Sequence, residues 1–233
     1  MDLILQGFLK AFQMIITGDP EIIEVTLLTL RVSGIATLIS LLIGIPLGTL
    51  LALSQFPGRK LVVSLVNTSM GLPPVVVGLW VTIFLWRSGP LGQLNLIYTS
   101  TAIIIAQAVI ASPIIIGLTS AAIQQIDPKY RLQIIALGAT RLQFLWFLLK
   151  ETRFSILAAI IAGFGAVVSE VGASMMVGGN IKGETRVLTT ATVMEVSKGN
   201  FDVAIALSVI LALLSYIVTL WLTLMQQRKQ QRV

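Results

Sequence analysis

Long apolar runs dominate the pattern of the chain. They cover residues 22–53, 61–86, 102–123, 154–180 and 203–225. Each run is long enough to cross a bilayer, which takes about 20 residues in a helix. The pattern therefore predicts an all-α integral membrane protein with five transmembrane helices. Residues 181–202, between the last two runs, are expected to form a polar loop.

The segment before the first run has a different character. Residues 1–16 carry Leu3, Phe8 and Phe12 at helical spacing, and Gly18-Asp19-Pro20 then breaks the pattern. The spacing predicts an amphipathic helix that lies on the membrane or against a neighbour. We therefore divide the chain into an N-terminal amphipathic segment (1–20), a transmembrane domain (21–226) and a basic tail (227–233).

Two of the runs contain residues that do not suit an unbroken helix in lipid. Pro73 and Pro74 remove two backbone donors and predict a break in the second run, either as a packing kink or where the chain lines a water-filled cavity. Glu170 lies deep in the fourth run, where a carboxylate faces a pore or partner or is hydrogen-bonded to neighbouring backbone. In the first run, Gly44 and Gly48 offer a flat face for close helix packing.

A charged island, residues 124–153, separates the third and fourth runs. Asp127 before Pro128 is typical of a helix N-terminus. Tyr130, Ile134 and Leu137 then share one helical face. The cations of the island are expected at a membrane surface: Lys129, Arg131, Arg141, Lys150 and Arg153.

The island also predicts a second helix directly after the first. Gly138 stands where a left-handed cap would end the first helix, and Ala139 completes the turn. Thr140 and Gln143 have the spacing of a capping box, which starts the next helix. Two short helices joined by a tight turn have a defined shape that suits docking to a partner. An ordinary loop between two spans is the alternative.

Composition supports the membrane class. Of the residues, 56% are hydrophobic and 11% are charged, against roughly 25% charged in soluble domains. The chain has no cysteine and no histidine, which excludes thiol and histidine chemistry and metal sites built on either residue. The net charge of +6 does not indicate nucleic-acid binding, because the cations cluster at the ends of the apolar runs.

The distribution of charge predicts an orientation. With five spans, the side that holds the island carries ten cations and two acids, and the opposite side carries five cations and seven acids. Cytoplasmic loops of membrane proteins are enriched in Lys and Arg. The island and the C-terminus are therefore expected in the cytoplasm and the N-terminus outside, in a multi-pass protein of the plasma membrane.

The island resembles the cytoplasmic loop of ABC importer permeases of the type I fold. Their consensus is Glu-Ala-Ala, three residues, Gly, nine residues, then Ile-x-Leu-Pro. Here Gly138-Ala139-Thr140 matches the glycine region and Leu148 falls on the isoleucine position. The sequence LQI at 132–134 and KE at 150–151 replace the flanking consensus, so the residue that takes the place of the family's glutamate stays open.

Other stretches resemble the molybdate and tungstate branch of that family. They are NTSMGLPPVVVG at 67–78, SGPLG at 88–92, SEVGA at 169–173, VGGNI at 177–181 and TRVLTT at 185–190. The combination of SEVGASMMVGGNI with TRVLTTA is most similar to tungstate-type permeases. The resemblance covers roughly residues 26–218.

The resemblance implies a transport subunit rather than an enzyme. Two copies would form the pore, two separate ATP-binding cassette subunits would bind ATP and Mg, and an extracytoplasmic binding protein would deliver the oxyanion. This chain would bind no cofactor and no metal. The residues expected to couple to the ATPase are Tyr130, Arg131, Ile134, Leu137, Gly138, Ala139, Thr140 and Arg141. Those expected at the pore or gate are Pro73, Pro74, Glu170, Gly172, Gly178, Gly179 and Asn180.

Two other classes compete with this interpretation. An intramembrane enzyme would need a catalytic constellation, and Glu170 is the only acid at depth. A secondary transporter that couples to protons through Glu170 is chemically more plausible. The sequence shows no inverted repeat of the kind common in such transporters, and an ordered cytoplasmic loop favours the ATP-driven importer.

Overall fold

The structure, a computed structural model, describes the backbone of residues 2–230 and the side chains of residues 4–227. Over this range the chain forms α-helices, one 3₁₀ turn (Gly92–Leu94) and no strand. The helices are α1 (Asp2–Thr17), α2 (Pro20–Leu53), α3 (Arg59–Met70), α4 (Pro74–Leu85), α5 (Ser100–Gln124), α6 (Pro128–Ala136), α7 (Arg141–Glu151), α8 (Arg153–Val168), α9 (Gly172–Gly178), α10 (Leu188–Ser197) and α11 (Phe201–Gln230).

The basic tail predicted at 227–233 is covered only in part. Helix α11 continues through residue 230. Residues 231–233 lie outside the described residues, as do Met1 and the side chains of Arg228, Lys229 and Arg232.

Helices α2 and α5 form the centre of the bundle. A Cβ atom on Gly44 would lie 2.6 Å from a side-chain carbon of Ile115, and one on Gly48 would lie 2.6 Å from the carbonyl oxygen of Ile116. The Ser40 hydroxyl donates a hydrogen bond to the carbonyl oxygen of Ala108 at 3.1 Å. The predicted close packing at the two glycines is confirmed, because side chains at these positions would force the helices apart.

The described residues contain three helices long and apolar enough to span a membrane alone, namely α2, α5 and α11. Two bent pairs supply the other candidates. Helices α3 and α4 meet at 104°, and α7 and α8 meet at 66°. The chain has five spans if each bent pair counts as one. The fourth run is further divided, because α8 ends at Val168 and α9 begins at Gly172.

The bundle has two ends that differ in content. At the Glu21 end, Lys182 and Arg186 of the α9–α10 connection both contact Glu21 at the start of α2. At the island end, Ala52 of α2 packs in a cluster with Ile123, Ile126, Ile134 and Leu148. The side chain of Gln226 donates to the carbonyl oxygen of Phe154 at 3.2 Å. The start of α2 and the end of α11 therefore lie at opposite ends of the bundle.

The N-terminal helix packs against the last helix of the same chain. Lys10 forms an ion pair with Asp202 at 2.6 Å. A Cβ atom on Gly7 would lie 2.4 Å from a side-chain carbon of Ile205. The predicted helix is confirmed, and its neighbour is the beginning of α11. Its opposite face exposes Phe8, Phe12 and other large apolar side chains.

The prediction of a polar loop over residues 181–202 is wrong, because this stretch contains α10. Its threonines made the sequence look like a loop. In the structure Leu188, Thr189, Thr190 and Ala191 are buried. The hydroxyl of Thr192 bonds to the carbonyl oxygen of Leu188 in the preceding turn at 2.8 Å. The buried threonines are paired as well, since Thr190 donates to the carbonyl oxygen of Val187 and Thr189 to a carbonyl oxygen outside α10. Because its hydroxyls are hydrogen-bonded, a threonine-rich segment can be buried without unpaired polar groups.

Candidate functional site

Two interrupted helices define the site. Residues 71–73 separate α3 from α4, and residues 169–171 separate α8 from α9. Pro73 is the N-cap of α4, and Pro74 is its first residue, where a missing N–H and a fixed φ fit a helix start. The predicted break at Pro73 and Pro74 is confirmed.

The starts of α4 and α9 pack directly on each other. A Cβ atom on Gly78 would lie 2.6 Å from the Cα atom of Ala173, and one on Gly172 would lie 2.7 Å from a methyl carbon of Val75. Only glycine permits this approach at Gly78, because the obstacle is backbone. The structure therefore brings the Pro73–Pro74 break and the Glu170–Gly172 break to one place.

Glu170 stabilises the second break. Its side chain is buried, with 6% of the residue exposed. One carboxylate oxygen accepts a hydrogen bond from the backbone N–H of Ala173 at 2.7 Å, which satisfies a donor in the first turn of α9. Its carbonyl oxygen accepts a hydrogen bond from the hydroxyl of Thr189 at 2.8 Å. This bonding supports the second interpretation that the sequence left open, a carboxylate bonded to backbone. A role at a pore stays a prediction.

Gly178, Gly179 and Asn180 lie elsewhere, at the Glu21 end of the bundle. A Cβ atom on Gly178 would lie 2.7 Å from a side-chain carbon of Ile103. Gly179 has a φ of +70° and ends α9. These residues form the turn that leaves α9 and are not in the group around Pro73 and Glu170.

Sequence reasoning missed Tyr98, which joins two connections at this end. Its N–H donates to the carbonyl oxygen of Val177 at 2.8 Å, and a Cβ atom on Gly179 would lie 2.8 Å from its ring. Trp86 meets the same ring edge-on, with centroids 6.3 Å apart. Tyr98 has a φ of +63°, a left-handed conformation that costs a non-glycine residue roughly 1–2 kcal/mol. No local sequence signal marks this conformation.

The island forms the two helices that its sequence predicts. The side chain of Asp127 accepts a hydrogen bond from the N–H of Lys129 at 2.8 Å. Gly138 has a φ of +78°. Thr140 and Gln143 form a reciprocal capping box, with distances of 3.4 Å to the Thr140 hydroxyl and 2.8 Å to the Gln143 side chain. Both caps and the glycine turn are confirmed.

The predicted shared face of the first island helix is correct in part. Ile134 is buried, and Tyr130 and Ala139 pack against its cluster. Leu137 is 87% exposed, so its place on that face was wrong. Leu137 ends α6 as its C-cap, and there the chain already turns toward Gly138. The exposed surface of the turn therefore includes Leu137 as well as Arg141.

The cations of the island have different surroundings. Arg131 turns back and donates through its guanidinium to the carbonyl oxygen of Ile123, in the last turn of α5. The guanidinium of Arg153 lies 4.7 Å from the ring centre of Phe154. Lys129, Arg141 and Lys150 are exposed. The coupling role predicted for Arg131 stays a prediction, and the structure gives it a second role as a cap of α5.

Tyr130 and the end of α7 interact at the base of the island. Burial raises the pKa of the Tyr130 hydroxyl, and the nearby Glu151 carboxylate raises it further. The phenol is therefore neutral at physiological pH and can act as a hydrogen-bond donor. Glu151 is the last residue of α7, so the two island helices are close to each other at this point.

Comparisons with known proteins cover most of the chain. The family described as "Binding-protein-dependent transport system inner membrane component" matches residues 44–231. The tungstate uptake system permease protein TupB of Peptoclostridium acidaminophilum is 38% identical over 93% of this chain and 95% of the relative. The molybdenum transport system permease protein ModB of Escherichia coli (strain K12) is 30% identical over 94% of this chain and 100% of the relative.

Solved structures share the fold at lower identity. A chain from the inward-facing MetNI methionine ABC transporter aligns with a TM-score of 0.73 and 22% identity, over 90% of this chain and 96% of that one. The likeness shows that the two chains share a fold.

Proposed function

The chain belongs to the family of binding-protein-dependent transport system inner membrane components, the permeases of ABC importers, and from this premise we propose that it imports a tetrahedral oxyanion. Tungstate is the first candidate and molybdate the second. The observation that carries the proposal is the 38% identity to a tungstate uptake permease over 93% of the chain. The identity to a molybdenum permease is lower, at 30%, and for this reason we place molybdate second.

In this proposal the island is the surface that couples the pore to a separate ATPase. The turn projects Leu137, Gly138 and Arg141 into solvent, while Ile134 fixes the first island helix to α2 and α5 through the cluster at Ala52. A rigid projection tied to the central helices can transmit a movement of the ATPase to the spans. Two ATP-binding cassette subunits bind ATP and Mg, and this chain binds neither.

The pore is formed by two copies of the chain. Support comes from α4, which buries Gly78, Val81 and Leu85 and exposes large apolar residues on its other faces, among them Leu79, Trp80, Ile83 and Phe84. The nearby Pro73 and Gly172 breaks would then lie close to the axis between the copies. An extracytoplasmic binding protein delivers the oxyanion at the Glu21 end, near Tyr98 and the Gly178–Asn180 turn.

The orientation in this proposal places the island in the cytoplasm. The chain contains no cysteine, so maleimide labelling of a single introduced cysteine has no background from other positions of the chain. Cysteines at Ser88 and Lys198 should react with an impermeant maleimide in intact cells, and one at Lys129 should react only after the cells are opened. Labelling of position 129 in intact cells would contradict the orientation and the docking of the island.

The proposed function is tested by assembly with its partners. The permease is co-expressed with a cognate ATPase subunit, purified by its own tag, and assayed with binding protein that is empty or loaded with tungstate, molybdate or sulfate. We expect the ATPase to co-purify, and hydrolysis to rise most with the tungstate-loaded protein. A complex that forms but responds only to another ligand would contradict the proposed substrate.

The island itself is tested by two glycines that have similar geometry. Gly138 and Gly199 have φ values of +78° and +81°, and a Cβ atom on either would have open space. Gly138→Val strains the island turn, and Gly199→Val strains the turn between α10 and α11. We expect Gly138→Val to lose ATPase recovery or stimulation and Gly199→Val to keep the ATPase bound. Equal behaviour of the two variants would show that the island does not couple.

A further inference from the structure

Helix α3 carries a polar stripe on one face. The stripe consists of Lys60, Ser64, Asn67, Thr68 and Gly71, at spacings of three and four residues, and such residues lie on one side of a helix. All five residues are exposed. The side chains of Ser64, Asn67 and Thr68 make no hydrogen bond within the part of the chain that the structure describes.

The opposite face of α3 holds the helix in the bundle. Val66 and Met70 contact α5 at Gly117, where a Cβ atom would lie 2.6 Å from the sulfur of Met70. Gly117 lies seven residues before the end of α5, about 10 Å along the helix axis. The stripe therefore runs from the island end into the depth of the bundle, toward the break at Pro73.

Unpaired polar side chains at this depth do not suit contact with lipid. Transfer of a hydroxyl or amide from water to an apolar medium is unfavourable when the group has no hydrogen-bond partner there. Non-helical backbone at membrane depth is likewise tolerated where it lines a water-filled space, and the stripe ends at such a segment, residues 71–73. Both observations place water on this face of α3.

The charges near the stripe suit an anion. No Asp or Glu occurs between Val25 and Ile126, a stretch that includes α3, α4 and α5. Lys60 stands at the beginning of the stripe, next to Arg59. The one acid at comparable depth, Glu170, is buried and bonded to the N–H of Ala173. A dianion on the stripe would meet donors and a cation, and no exposed carboxylate from these helices.

We propose that this polar stripe of α3 is the surface along which the transported oxyanion moves from the break at Pro73 to the cytoplasm. The hydroxyls of Ser64 and Thr68 and the amide of Asn67 donate hydrogen bonds to its oxygens in turn, and Lys60 attracts it at the exit. Neutral donors hold the anion weakly enough to release it. The proposal rests on the proposed function and names the residues that contact its substrate.

The first test asks whether the stripe faces water. Single cysteines replace Asn67, Thr68 and, as a control on the opposite face, Val66, in the chain that has no other cysteine. The probe is methanethiosulfonate ethylsulfonate, a small anion, applied to the purified permease in proteoliposomes. We expect positions 67 and 68 to react at least tenfold faster than position 66. Equally slow reaction at all three positions would show that the stripe does not face water and would overturn the proposal. A stripe covered by a second copy of the chain would give the same result.

The second test measures transport by the assembled complex. Asn67→Asp keeps the size of the side chain and adds a negative charge, and Thr68→Val removes a donor at constant shape. Ser69→Ala is the control, because Ser69 adjoins Thr68 and lies off the stripe. Loss of one hydrogen bond to a charged group corresponds to roughly a tenfold change or more. We expect tungstate uptake to fall about tenfold in Asn67→Asp and Thr68→Val and to stay within about twofold in Ser69→Ala.

The readouts separate this proposal from the proposed function. ATPase co-purification and stimulation by loaded binding protein report assembly, and both should persist in all three variants. If Asn67→Asp keeps both stimulated hydrolysis and normal uptake, the stripe does not contact the transported oxyanion, and the proposed function is unaffected. A wild-type complex that never responds to tungstate would overturn the proposed function, and the cysteine reactions would still decide whether the stripe faces water.

Discussion

The break between α3 and α4 and the break between α8 and α9 lie against each other, yet different residues make them. At the first, Pro73 and Pro74 stop the helix, and the chain turns by 104°. At the second there is no proline. Glu170 accepts a hydrogen bond from the N–H of Ala173, and Thr189 donates one to the carbonyl oxygen of Glu170. At the first break the two prolines remove two backbone donors, and at the second break side-chain groups bond to the backbone.

The difference affects what each break can do. The first is preceded by a helix with no buried residue and by the polar stripe, so its surface is open to a substrate or a second copy. The second is closed by its own side chains, since Glu170 and Ala173 are both buried. We therefore propose that the α3 side contacts the substrate and that the Glu170 side gives mechanical support.

The largest expected effect comes from the contact that both breaks share. Gly78→Ala would place a Cβ atom 2.6 Å from the Cα atom of Ala173 and push α4 away from α9. Overpacking of this kind costs about 1–3 kcal/mol. Gly165→Ala is the control, because its Cβ atom would have nothing within 4 Å. Unfolding by SDS in mixed micelles, followed by far-UV circular dichroism, should show the loss in Gly78→Ala alone. Equal stability of the two variants would show that α4 and α9 do not pack this closely.

A loss of stability of similar or smaller size is expected from a change at the second break. Glu170→Leu removes the acceptor and leaves the N–H of Ala173 buried without a partner, which costs about 1–3 kcal/mol. Glu170→Gln keeps an acceptor oxygen and should retain most of the stability in the same assay. If Glu170→Gln is as stable as wild type but transports slowly, the negative charge has a role at the gate beyond support. If Glu170→Leu is as stable as Glu170→Gln, the hydrogen bond does not stabilise the break.

The smallest effect is expected at the first break. Pro74→Ala restores an N–H at the first residue of α4, where a helix needs none. The folded structure should keep its bend, and the variant should lose about 0.4–1 kcal/mol through the greater freedom of the unfolded chain. A spin-label distance between α3 and α5 should stay unchanged. A lengthened, straighter α3–α4 helix would show that Pro74 imposes the bend.

The sequence predicted most of this fold for reasons that are local. Apolar runs marked the spans, Pro73 and Pro74 marked the first break, and the caps of the island followed from Asp127, Gly138 and Thr140. The second break was not predicted as a break, because residues 169–171 contain no proline and its supporting partner, Thr189, lies 19 residues away in the chain. Contacts between distant segments leave no local pattern.

The same limit explains the errors and the omissions. Leu137 fits the helical spacing of Tyr130 and Ile134, but the turn at Gly138 begins one residue earlier than the spacing implies. The buried helix α10 was not predicted because it is rich in threonine, and the hydroxyls of these threonines bond to carbonyl oxygens of α10, of its N-cap or of Glu170. The polar stripe on α3 follows from spacing and could have been found, whereas the left-handed Tyr98 depends on the packing of two connections.

The measurement that tests the account most directly is tungsten uptake into proteoliposomes that hold the permease, its ATPase and the loaded binding protein. We expect uptake to require ATP, to be unaffected when the proton gradient is collapsed, and to fall about tenfold in Asn67→Asp. Uptake driven by an imposed proton gradient without ATP, and abolished in Glu170→Gln, would contradict the account and identify a proton-coupled transporter.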